Sequence, residues 1–150
     1  MNYSVLLNQH ELNLYQQLFS DRRINFKYAS RVNPRDIEFV KKTYKYYYPE
    51  GLEDLIEEGN NGSISPNRIK TRNNVIEVKT VLSYNKKDKE NVYDAINTLI
   101  KSGSQLLPFA NTPSGDLIGT DGKSIILWNH ETGKEDVISP SLDDFLDSLY

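Results

Sequence analysis

Three features of the sequence predict an α+β fold: one domain whose largely antiparallel central sheet, of about five or six strands, is wrapped by four or five helices. Apolar residues recur at helical spacing up to Gly59. The period changes to two after Val75. Short strand-like runs broken by tight turns fill 105–138, and an amphipathic segment closes the chain.

The first helix is expected over 8–20, with Leu12, Tyr15, Leu18 and Phe19 on one face. A basic connection follows. The second helix opens at Asn33-Pro34, a capping residue before a proline at the first helical position, and its apolar face is Ile37, Val40, Tyr44 and Tyr47. Pro49 stops it and opens a short third helix, with Leu52, Leu55 and Ile56 inward and Gly59 as the residue beyond its end. Ile64 and Ile69 are read as an edge segment that Pro66 interrupts.

Residues 75–84 read as one half-buried strand, with Ile76, Val78, Leu82 and Tyr84 on its inner side. A charged run at 86–90 leads into a fourth helix whose inner face is Val92, Ile96, Leu99 and Ile100 and which Gly103 ends. Strands are then expected near 105–110, 116–120, 124–129 and 135–138. Asp121-Gly122 is read as a two-residue hairpin turn. The last helix runs over about 140–149 with Leu142, Phe145, Leu146 and Leu149 inward. Ser141 and Asp144 have the spacing of a capping box.

At 150 residues the chain fits one domain, 1–150, in which 1–32 form an extra N-terminal helix and connection. It has no cysteine, so disulfides and thiolate metal sites are excluded and a cytoplasmic location is expected. Apolar runs fall far short of the ~20 residues that span a bilayer, so no membrane partner is expected, and the N-terminus lacks the pattern of a signal peptide. The net charge of −3 hides a strong segregation. Residues 21–45 hold eight bases against three acids, whereas 50–58 hold Glu50, Glu53, Asp54, Glu57 and Glu58 with no base. Such asymmetry either solvates helix faces or steers a charged partner.

No catalytic, cofactor or metal constellation emerges. Gly122-Lys123-Ser124 imitates the end of a phosphate-binding loop, but the glycine required five positions earlier is Leu117 and a strand follows in place of a helix. His130-Glu131 lacks a second histidine four positions on, where Lys134 stands, and a metal would need carboxylates such as Asp116, Asp121 or Asp136. The lysines and tyrosines of 41–48 could contact nucleic acid, but Tyr44 and Tyr47 share the apolar face of a helix and the chain is acidic, so no direct nucleic-acid binding is expected. Trp128, the sole tryptophan, is either core or an interface anchor.

Two blocks resemble the SUKH superfamily, which contains the yeast Smi/Knr-type regulator of cell-wall assembly and many bacterial immunity proteins. The first is Tyr48-Pro49, Leu52, Leu55-Ile56 and Asn61-Gly62-Ser63; the second is Phe109-Ala110, Gly115-Asp116, Asn129-His130-Glu131 and Ser141 to Leu146. Tyr48, Leu52, Ser63, Asn129 and Leu142 depart from the usual family residues. The resemblance covers about 34–150 and implies a helix-wrapped sheet. It also implies a non-catalytic bacterial immunity protein that binds and neutralises a cognate protein toxin, often a nuclease. An acidic surface would compete with nucleic acid for such a toxin, so Glu50, Glu53, Asp54, Glu57 and Glu58 are the first candidate contacts, with Trp128, His130 and Glu131 beside them. The alternatives are a scaffold for cell-surface assembly, or a small enzyme using His130 with nearby carboxylates. Oligomeric state is left open.

Overall fold

The structure, a computed structural model, describes residues 16–150. Most of the helix expected over 8–20 therefore lies outside the described residues, and Gln16–Ser20 form a π-helical turn. The first strand, β1 (Asn25–Lys27), leads to α1 (Pro34–Tyr44) and α2 (Leu52–Gly59). Four short strands follow: β2 (Ser63–Ser65), β3 (Arg68–Lys70), β4 (Val75–Glu77) and β5 (Thr80–Val81). Helix α3 (Val92–Lys101) precedes a meander of β6 (Leu107–Asn111), β7 (Leu117–Thr120), β8 (Ile125–Trp128) and β9 (Glu135–Ser139), and α4 (Leu142–Ser148) is the last element.

The central sheet has the order β5-β6-β7-β8-β9 and is antiparallel throughout; β1-β2 and β3-β4 are separate antiparallel pairs. Its fold class is the α+β arrangement that the sequence predicts. Every strand of the meander joins its sequence neighbour, so the turns alternate between the two ends of the sheet. The turns after β6 and β8 thus share one end, with Leu117 opposite Trp128 beside them. Gly119 sits opposite Pro108, where a Cβ would stand 2.7 Å from the Leu107 carbonyl oxygen, so only glycine allows the strands to close there.

Helix ends follow their sequence signals. The Asn33 side chain accepts from the Arg35 N–H at 3.0 Å, with Pro34 as the first helical residue. Ser141 Oγ accepts from the Asp144 N–H at 3.1 Å. Helix α4 drives Phe145 into the core, edge-on to Phe109 with ring centroids 5.9 Å apart.

Several expectations need correction. Residues 75–84 are two strands in different sheets: the Val78 N–H donates to Asn67 O and the Lys79 N–H to Asn111 O, where the chain crosses from the small hairpin to the central sheet. Beyond that crossing Val81 and Ser83 are buried as well, so the alternation is lost. Ile64 and Ile69 fall on two strands with different partners, either side of a cis Ser65–Pro66 bond. Helix α2 starts at Leu52, not Pro49. Its N-cap is Gly51 at φ +88°, a conformation that favours glycine. Gly59 is the last residue of that helix; its glycine is required because a Cβ would meet the Phe26 ring at 2.8 Å.

The Asp121-Gly122 turn is a four-residue loop. Asp121 Oδ1 accepts from the N–H groups of Lys123 and Ser124, and Gly122 alone takes positive φ. Ile100 is half exposed, and Tyr47 lies beyond the left-handed Lys45 that caps α1, largely in solvent.

Candidate partner-binding surface

Helix α2 turns Leu52, Leu55 and Ile56 into the core, which at 3.6 residues per turn forces its acids outward. Glu50, Asp54, Glu57 and Glu58 are exposed. Glu53 is partly covered and pairs with Lys41 of α1 at 2.8 Å. That hydrogen bond raises the Lys41 pKa against the opposing effect of burial, and Lys41 also lies 5.3 Å over the Tyr48 ring. Partial burial, more than the nearby Asp54 charge, raises the Glu58 pKa.

A Cβ on Gly51 would lie 3.5 Å from Leu142 Cδ2, which brings the start of α2 against the start of α4. Helix α4 adds Asp143, Asp144 and Asp147. Arg22 binds Asp147 at 2.5 Å and Asp143 at 3.3 Å, so this second acidic group is partly neutralised.

Trp128, His130 and Glu131 occupy a different place, the end of β8 and the turn after it. Trp128 is buried, at 5% exposure, and its indole N–H has no acceptor among the described residues. That position makes it a wall of the core beneath the turn. His130 and Glu131 are exposed. Asp116, in the turn after β6, accepts from the His130 backbone N–H at 3.1 Å and lies 2.5 Å from Nδ1, which donates in the tautomer that a carboxylate acceptor selects. Burial raises the Asp116 pKa, but these bonds from His130 outweigh it and hold the carboxyl below the ordinary aspartate range. His130 Nε2 lies 3.9 Å from Glu131 Oε1, beyond hydrogen-bond reach, and no hydroxyl or amine bonds it among the described residues. The pair joins two turns.

Among the described residues no group of three or more His, Cys, Asp or Glu side chains is placed to hold a metal, and no helix is long and apolar enough to cross a membrane.

Two features escaped the sequence reading. The Tyr48 and Tyr84 hydroxyls, 2.8 Å apart in the core, join the segment before α2 to the loop before α3. Arg31, Lys86 and Lys87 line one cleft although they are far apart in the chain. The basic run at 21–45 was the visible signal for the second, but the partner loop at 86–90 read only as a solvated helix entry.

No curated protein and no solved structure matches the chain. The model of the SMI1 / KNR4 family (SUKH-1) matches residues 31–148, spanning the helices, all but the first of the strands, and both sequence blocks. With that match over most of its length and a helix-wrapped antiparallel sheet beneath it, the chain belongs to the SMI1 / KNR4 family (SUKH-1).

Proposed function

We propose that this protein is an immunity protein: a non-catalytic module that occupies the surface of a cognate basic protein toxin, a nuclease being the type that best fits, inside the cell that makes both. The observation that carries the reading is α2, whose buried side is wholly apolar while Glu53, Asp54, Glu57 and Glu58 occupy its other sides and Glu50 stands just before its N-cap. Glu53 is ion-paired with Lys41 of α1. A concentrated negative surface speeds encounter with a positively charged nuclease groove and competes with its phosphate backbone. The family's immunity and regulatory members support a binding role over catalysis.

His130 and Glu131, exposed at the far turn, would lie at the rim of such an interface or outside it. Trp128 would support that turn from within. The segment before residue 31 would be an addition to the family domain.

Co-expression with the product of an adjacent toxin-like reading frame tests the proposal. Survival of the cells and co-purification of the two chains are expected. Protection by none of the neighbouring products, together with capture of several host surface-assembly proteins, would favour the scaffold reading instead.

A further inference from the structure

A cleft of about 480 Å³ opens between the start of α1 and the loop leading into α3. Arg31, Lys86 and Lys87 line it against one carboxylate, Asp36. Arg31 and Lys87 make no ion pair among the described residues. Lys86 is held in place by two rings, 4.9 Å from the Tyr93 centroid and 5.8 Å from that of Phe39, which fixes the loop against α1.

Asn60 forms part of the wall and is 1% exposed. Its Oδ1 accepts from the Tyr84 N–H at 2.8 Å, so its orientation is set, and its NH₂ donates to no acceptor among the described residues. An amide donor that still touches solvent at the wall of a cationic cleft can donate to an acceptor oxygen there.

We propose that this cleft binds an acidic peptide segment of a partner protein, its Asp or Glu carboxylates received by Arg31, Lys87 and the Asn60 amide. A guanidinium and a fixed amide NH₂ suit carboxylate oxygens, and charge-assisted bonds of this kind are the strong ones. Nucleic acid fits less well. Its bases need open aromatic faces, and of the two rings lining this cleft Tyr84 is buried and Tyr93 is engaged by Lys86. The site is distinct from the acidic side of α2 and does not depend on the toxin reading.

The test is fluorescence anisotropy of a labelled Glu/Asp-rich peptide with the full chain, competed by a single-stranded oligonucleotide of equal charge. Binding is expected to weaken about tenfold or more in the Arg31→Ala/Lys87→Ala double variant. Asn60→Asp keeps the acceptor for Tyr84 but places a carboxylate in the wall, and should weaken binding by a similar factor in a protein whose circular dichroism matches the parent's. Lys123→Ala/Lys134→Ala, on the sheet turns, should leave affinity unchanged. Three results would overturn the proposal: no peptide binding at low salt, equal losses in the Lys123/Lys134 control, or an oligonucleotide that competes at or below the peptide's own concentration.

Discussion

Asp116 Oδ1 receives both the backbone N–H of His130, at 3.1 Å, and its ring Nδ1, at 2.5 Å, so one carboxylate oxygen joins the turn after β6 to the turn after β8. Those turns carry the Gly115-Asp116 and Asn129-His130-Glu131 pieces of the family resemblance. Their meeting gives both pieces one structural role: the carboxylate satisfies a turn N–H and orients the imidazole. The Asp116→Ala variant should lose about 1–3 kcal/mol, the usual cost of removing a charge-assisted acceptor. Denaturant titration measures it.

The same contact sets a pH dependence. The folded-state pKa of Asp116 is depressed, so its contribution is present above the unfolded aspartate value and is lost as pH falls through the lower folded value. Parent stability should therefore decline below about pH 4 more steeply than that of Asp116→Asn. Equal slopes for the two proteins would contradict the assignment.

The Tyr48–Tyr84 hydroxyl pair is buried, and burial raises both phenol pKa values. Raised values keep both groups neutral, and their contribution is full below the unfolded tyrosine value and lost as pH rises from there through the raised folded values. Each single Tyr→Phe change should cost about 1–2 kcal/mol because it leaves a buried hydroxyl with one partner fewer. The double variant should cost less than the sum of the singles. A thermodynamic cycle from four unfolding curves reads the difference.

At Gly119 the backbone of β6 stands where a Cβ would go, 2.7 Å from Leu107 O. Gly119→Ala should destabilise by about 1–3 kcal/mol, since a paired strand, unlike a flexible side chain, must shift to admit it. A melting temperature within error of the parent would show that the strands can separate more easily than their register suggests.

Trp128 is the sole tryptophan and is buried with an unpartnered N–H. Its emission should be blue-shifted and poorly quenched by iodide. Trp128→Phe removes the unpaired donor along with some packing volume, so it should change stability by no more than about 1 kcal/mol, against about 3–5 kcal/mol for Trp128→Ala.

Local signals in the sequence identified most elements. Asn33-Pro34 and Ser141-Asp144 mark helix starts because capping chemistry is local, and the structure makes both bonds. The meander was readable from its turn residues. What failed was non-local. Residues 75–84 read as one alternating strand because Ile76, Val78, Leu82 and Tyr84 are all inward, but the chain changes sheets after Val78, and Val81 and Ser83 are buried too. Asp121-Gly122 misled because the Asp121 side chain builds a wider loop than a two-residue turn. For the functional surfaces, the acids of α2 were visible as a run, whereas the cleft of Arg31, Lys86 and Asn60 joins three separate segments and has no signature in any one of them.

Whether the acidic surface of α2 and the preceding Glu50 occupies a basic partner is decided by titrating the co-encoded toxin with the parent and with Glu50→Lys/Asp54→Lys/Glu58→Lys. These three side chains are exposed, so circular dichroism should match the parent. The account predicts a loss of affinity of about a hundredfold or more, concentrated in slower association, and failure to protect cells. Unchanged affinity and full protection by the reversed protein would contradict it.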